Sequence, residues 1–242
     1  MAEDELIKKH AQNALDAMTH PGKKWTHKLK DILQEILIIV FAVSVSIWLH
    51  GWSEDRKDRR EEKEFFAGLK QDIEADLTEM ENDRAALRLV QQHCMYYGMV
   101  GKGRPFQIDS VMNYAYIFFT QAQINPRISR FEALKGSGRL DIIEDKKLLY
   151  NIIDLYQKIF PTIYRYNQSF NELNSNKIDP YLGDMLQIDT SGNFLNSIDI
   201  LKTSRMRLLL NQLYSNAATC EGAYTKGIEK SKEILAGMKE SH

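Results

Sequence analysis

Two kinds of hydrophobic pattern divide this chain. Over residues 32–52 apolar side chains occupy every face of a helix, whereas from Phe66 onward they recur at spacings near three and four. Residues 36–49 hold no charged or amide side chain, and only Ser44 and Ser46 interrupt the aliphatic run. Fourteen such residues also suit a buried core helix. Adding Ile32 and Leu33, which precede Gln34 and Glu35, and Gly51 and Trp52, which follow His50, brings the stretch to roughly 30 Å as a helix, about one hydrocarbon thickness. A core helix would keep one polar stripe, and this one has none. The three tryptophans flank it, Trp25 before and Trp48 and Trp52 at its far end, as in an interfacial belt. The pattern favours a membrane span. Its distance from Met1 and the lack of a small-x-small motif before Trp52 argue against a cleaved signal peptide, so the anchor is expected to stay in the mature protein.

Downstream, a mixed-sign run from Ser53 to Glu64 reads as a solvated helix surface. Phe66, Leu69, Ile73, Leu77, Met80, Leu87, Val90 and Cys94 then form a narrow seam, interrupted by Arg84, that calls for helical partners within the chain or from another subunit. This stalk should fade near Tyr97. A helix is expected over residues 110–121, bearing Val111, Tyr114, Ala115, Phe118 and Phe119, and a brief one opens at the Ser129/Glu132 capping-box pair, closing at Gly136-Ser137-Gly138. Residues 144–176 predict a helix kinked at Pro161, residues 174–196 a long irregular connection, and residues 201–238 a final helix lying beside the stalk and standing the bundle on the membrane. Before the span, Ile7, Ala11, Ala14, Leu15 and Met18 outline a short amphipathic helix ended by His20-Pro21-Gly22, and Lys23, Lys24, Lys28 and Lys30 make a basic lead-in. The expected organisation is residues 1–30 as an amphipathic, basic segment, 31–52 as the transmembrane helix, and 53–242 as a soluble bundle including a stalk over 53–97. The fold class is all-α.

Composition agrees. Glycine (13) and proline (5) are scarce in 242 residues, and a net charge of −1 without aromatic-studded basic patches gives no reason to expect nucleic acid. If stalk and final helix share a base, Cys94 lies roughly 50 Å up and Cys220 roughly 30 Å, too far apart to bridge, so two buried free thiols are expected.

Glu35-Ile36, Trp52-Ser53-Glu54 and Arg56-Lys57 resemble an uncharacterised family of bacterial single-pass membrane proteins, in which a glutamate opens the span and a tryptophan, a small polar residue, a glutamate and bases close it. Phe66, Leu69, Asp72, Ile73, Asp76 and Leu77 look like a second block of that family. Phe131-Glu132-Ala133-Leu134 with Gly138, Leu140, Ile142 and the helix after Asp145 looks like a third. The resemblance implies the anchored helical architecture, a bacterial inner membrane and no established activity. Four bases precede the span and five follow it, so counting does not orient it. The more basic N-termini of the family imply an exported bundle; this chain's first 30 residues are longer and less basic than that pattern.

No arrangement of side chains demands a chemistry. The six histidines show no paired helical spacing and no Glu-x-x-His pair occurs, so neither metal nor cofactor is expected. No serine sits in a nucleophile elbow, and Gly101-Lys102-Gly103 lacks Walker spacing and reads as a turn. Aromatic side chains at Tyr114, Tyr116, Phe118, Phe119, Tyr156, Tyr164 and Tyr166 read as core in preference to a ligand pocket. Glu35 is the residue to single out: it can snorkel to headgroup water, or pair between helices with a base of a neighbouring subunit. Ala42 and Ser46, four apart, would let two spans approach closely. Trp25, Lys28, Lys30, Trp48 and Trp52 are the expected interface anchors. The reading is a non-enzymatic, membrane-anchored interaction protein, with the lipid bilayer and either copies of itself or a membrane protein as partners. The alternative is a sensory module binding a small ligand within the bundle.

Overall fold

The computed structural model describes residues 24–187, 189–190 and 194–240. The side chains of residues 24–29, 31 and 240 are outside that description. The expected amphipathic helix over residues 1–20 therefore lies outside the described residues, as do the side chains of Trp25 and Lys28. All regular elements among the described residues are helical.

Helix α1 runs unbroken from Lys24 to Val100, three residues beyond the expected fade. Two compact units divide between Arg60 and Glu61, eight residues later than the boundary read from sequence. The reason is local. Glu61 and Glu62 are held by the bundle, through Arg139 and the Glu144 backbone N–H (3.0 Å).

In the second unit the seam meets its partners within the chain: Phe66, Leu69, Ile73, Met80, Leu87, Val90 and Cys94 are all buried. A turn over residues 101–103 leads to α2 (Ile108–Asn113), shorter than expected because the chain tightens into a 3-10 turn over Ala115–Phe118. Val111, Ile117 and Phe118 point inward, while Phe119 is exposed. Helix α3 (Ser129–Gly136) starts one residue earlier than a capping box would place it. Ile128 is the cap, no side chain closes it, and the Glu132 N–H bonds to Ile128 O (2.9 Å). Gly138, at φ +72°, supplies the left-handed turn that follows.

Helix α4 (Lys146–Asp154) is capped by Asp145, whose carboxylate accepts from the N–H groups of Lys147 and Leu148. A π turn (Leu155–Ile159), α5 (Phe160–Leu173), a second π turn (Asn174–Ile178) and α6 (Asp179–Met185) continue it to Met185. Each π turn comes just before a proline, Pro161 or Pro180. Proline has no N–H to give and crowds the preceding turn, and widening that turn by one residue accommodates it without a break. So the expected irregular segment over 174–196 starts only at Leu186, since Ile178 and Leu182, four apart and buried, keep the first half helical.

Helix α7 (Ser197–Lys202) gives way to α8 (Ser204–Glu240) at Thr203, whose Oγ1 accepts from the Met206 N–H (3.1 Å). Helix α8 runs antiparallel to α1, tied by Arg88–Glu221 (2.8 Å) and Lys232–Glu81 (2.7 Å). At Gly227 the missing side chain lets α8 close on Met80 and Ile163. Those pairs also correct the register drawn from a shared base. Lys232 already faces Glu81, so α8 ends roughly 18 Å short of Glu61 by helical rise, and the 139–144 connection closes that end instead. Glu221 also accepts from Gln91 (3.3 Å), which puts Cys220 within about one turn of Cys94's level, not roughly 20 Å away. Both thiols are nonetheless free and buried.

Candidate functional site

In the first unit, no residue of the 18-residue apolar window of α1 is buried among the described residues. Thirteen large apolar side chains between Ile32 and Trp52 are exposed, from 47% at Leu49 and Trp52 to 69% at Leu37. A core helix of a soluble protein would be covered. This helix is long and apolar enough to cross a membrane by length and composition. Ten Ile, Leu, Val and Phe side chains over residues 36–49 favour transfer to a bilayer centre by roughly 3–6 kcal/mol together.

The sites read from sequence all lie along this helix. Lys30, Glu35, Ala42 and Ser46 are exposed. Helical period sets Ala42 and Ser46 one turn apart on one face, and among the described residues no ion pair reaches Glu35. Trp48 and Trp52 stack with ring centroids 6.4 Å apart and planes 8° from parallel. The Arg56 guanidinium lies over Trp52, 3.8 Å from the ring centroid, and His50 faces Glu54 at 3.3 Å.

Sequence reasoning missed a second feature, in the bundle. Residues 120–127 form an extended strap whose backbone bonds go to side chains from three helices. From α5 and the π turn after it, Asn171 takes both the N–H and C=O of Ala122 (2.8 and 2.9 Å), and Asn174 donates to Thr120 O (2.7 Å). From α8, the Tyr224 hydroxyl donates to Gln123 O (3.4 Å) and accepts from the Asn167 amide (2.8 Å). From α1, Glu79 accepts from the Asn125 N–H (3.4 Å), and Asp76 accepts from both the Arg127 N–H (3.1 Å) and its guanidinium (2.6 Å). Just beyond, Arg130 pairs with Asp72 (3.0 Å) and fills the space left by Gly68.

Asp72, Asp76, Glu79 and Asp83 thus form a column on α1, spaced four, three and four. Asp76 sits in the apolar seam and is 2% exposed. Burial raises its carboxyl above the ordinary range, against the lowering pull of the Arg127 bonds. Asp83 is likewise raised by burial, opposed by a hydrogen bond from Tyr224 and assisted by nearby Glu79, and its Oδ2 is buried without a partner among the described residues. The legible signal was Asp76 at a seam position, which calls for a base from elsewhere in the chain, here the half-exposed Arg127.

Of the seven aromatics read as core, Phe118 and Tyr156 are buried, while Tyr116, Phe119 and Tyr164 are exposed. They do not converge on one pocket. The enclosed apolar cavity between Tyr97, Val111, Phe118, Leu182, Leu201 and Met206 measures about 50 Å³, well below the volume of a ligand site. A wider groove of about 510 Å³ runs between α1 and α8, lined by Cys94, Met95, Gly98, Met99, Leu210 and Tyr214. No group of three or more histidine, cysteine or acidic side chains among the described residues is placed to hold a metal ion. The chain matches no family model, no curated protein and no solved structure.

Proposed function

We propose that this chain is a non-enzymatic, membrane-anchored interaction protein that works as an oligomer or as an accessory subunit of a membrane complex. The supporting observation is the uncovered apolar helix, which needs lipid or another protein around it. The seam of the bundle is consumed inside the chain. Faces that suit partners include the apolar helix, with Glu35, Ala42 and Ser46, and the groove where Met95, Met99 and Tyr214 stay exposed and Lys102 is the single charged lining residue. Methionine-rich, charge-depleted grooves suit protein partners. Cross-linking and native mass spectrometry of the full chain in mild detergent test this: a dimer or a co-purifying membrane protein is expected, and a lone monomer without partner would sink the reading.

The family resemblance supports a bacterial inner membrane and an exported bundle. An engineered thiol at exposed Asp184 tests the side directly. Cys94 and Cys220 are buried and their thiols are pushed up to about 12, so they contribute no thiolate background. Labelling of Asp184→Cys by a membrane-impermeant maleimide in spheroplasts is expected. Labelling only after lysis would reverse the orientation.

A further inference from the structure

The charged run after Trp52 looks evenly mixed in sequence, but the helix gathers its three arginines on the tryptophan side, with Asp55 at their flank. At about 100° per residue, Arg56, Arg59 and Arg60 fall within roughly 80° of Trp52 around α1. Glu54 and Asp58 fall roughly 160° and 120° away, and Asp55 stands on the opposite flank, roughly 60° from Trp52. One face of the first unit thus carries Trp48, Trp52, Arg56 and Arg60 in successive i, i+4 steps with Arg59 beside them, and all five are exposed.

The contacts along this face are specific. Trp48 and Trp52 stack, and the Arg56 Cζ lies over the Trp52 ring, 3.8 Å from its centroid. Stacking occupies the face of a guanidinium and leaves its in-plane N–H groups pointing outward, the geometry that receives two oxygens of a phosphate. Among the described residues Arg56 donates no hydrogen bond and enters no ion pair. The ring holds the guanidinium in place, and its donors are not otherwise engaged.

We propose that this face binds the headgroup phosphate of an anionic phospholipid, with Arg56 as the direct ligand, Arg59 and Arg60 supplying the field, and the tryptophan pair fixing its depth. The inference rests on the anchoring reading above. A zwitterionic lipid offers the same phosphate with its charge cancelled, so the face selects for net negative headgroups.

The full chain with Trp25→Phe, reconstituted in nanodiscs, reports through Trp48 and Trp52. Brominated phosphatidylglycerol and brominated phosphatidylcholine are compared as quenchers at equal mole fraction. A preference of about fivefold for the anionic lipid is expected at low salt, shrinking as salt is added. Arg56→Gln with Arg60→Gln should reduce the ratio to about one, while Lys57→Gln, roughly 140° away, should leave it in place. Equal quenching by the two lipids overturns the headgroup site while leaving the anchor standing. So does a Lys57→Gln loss as large as the arginine loss, which would mean diffuse attraction only. Quenching by neither lipid removes the anchor, and this site with it.

Discussion

Two stretches of a single helix, residues 32–52 and 61–100 of α1, meet opposite fates. The first leaves its aliphatic side chains about half to two-thirds exposed; in the second, Leu69, Ile73, Met80 and Val90 are completely buried. Composition already separates them, with eleven leucine, isoleucine and valine residues among the 21 of the first and seven among the 40 of the second. Angular distribution separates them further. A stripe can be matched by neighbouring helices of the same chain, as α5 and α8 match the seam, while polar groups keep the far side in water. A girdle of apolar residues is not matched that way among the described residues, and its length and composition suit a membrane span.

If that contrast holds, the two stretches fail independently. Val40→Arg with Val43→Arg costs roughly 5–7 kcal/mol of insertion, enough to offset the whole apolar run. The double variant should leave carbonate-washed membranes for the supernatant while its bundle keeps its melting temperature. Ile73→Ala removes roughly 2–5 kcal/mol from the fold, because Ile73 is wholly buried, yet it should leave the chain in the pellet. Should the arginine variant melt as early as Ile73→Ala, or the alanine variant desert the membrane, the contrast would be wrong.

A smaller effect sharpens the picture within the seam. Asp76 interrupts an apolar column to hold Arg127 by three hydrogen bonds, two of them to the backbone N–H. Replacing it with alanine removes these bonds, but Arg127 is exposed and water can meet its donors, so the cost should be about 0.5–1.5 kcal/mol. Local consequences should exceed global ones. Hydrogen exchange at Ala122, Asn125 and Arg127 should accelerate in Asp76→Ala more than at amides of α8. Uniform acceleration would mean that the strap is not a separate unit held by this carboxylate.

The seam and the girdle were both legible because each is written in consecutive turns of one helix. The seam members read from spacing are buried, apart from Leu77, which is half-buried. The strap was illegible for the opposite reason. Its anchors lie 51 residues away at Asp76 and 49 away at Asn171, and no local periodicity links an aspartate in a seam to an arginine in a loop. The π turns fall between. Buried positions run 148, 149, 152, 155, 156 and 160, then 170, 173, 174 and 178, so an adjacent buried pair followed by a gap of four falls at the start of each π turn. That extra residue of phase was present in the sequence, but read singly Asn174 and Pro180 suggest a loop. For the candidate contacts Glu35, Ala42 and Ser46 the sequence gives position and face. Which partner meets them is a property of another chain.

The smallest effect concerns the fourth carboxylate of the α1 column and has an unusual sign. Buried acids bonded to bases usually lose stability as pH falls. Glu221, lowered by the Arg88 hydrogen bond, is of that kind: its contribution is present above the unfolded carboxylate range and is lost as pH falls through its depressed value. Asp83 goes the other way. Burial raises its folded value above the unfolded one, so the folded chain binds its proton more tightly. The penalty for ionising it is absent below the unfolded value of about 4 and complete above the raised one, so this group weakens the fold as pH rises through that window. Asp83→Asn keeps the shape and a polar acceptor for Tyr224 while removing the charge, and should raise the melting temperature at pH 7 by about 1–3 °C. At pH 4 and below, wild type and variant should melt together. A gap of the same size at both pH values would trace the gain to packing, not to the buried charge.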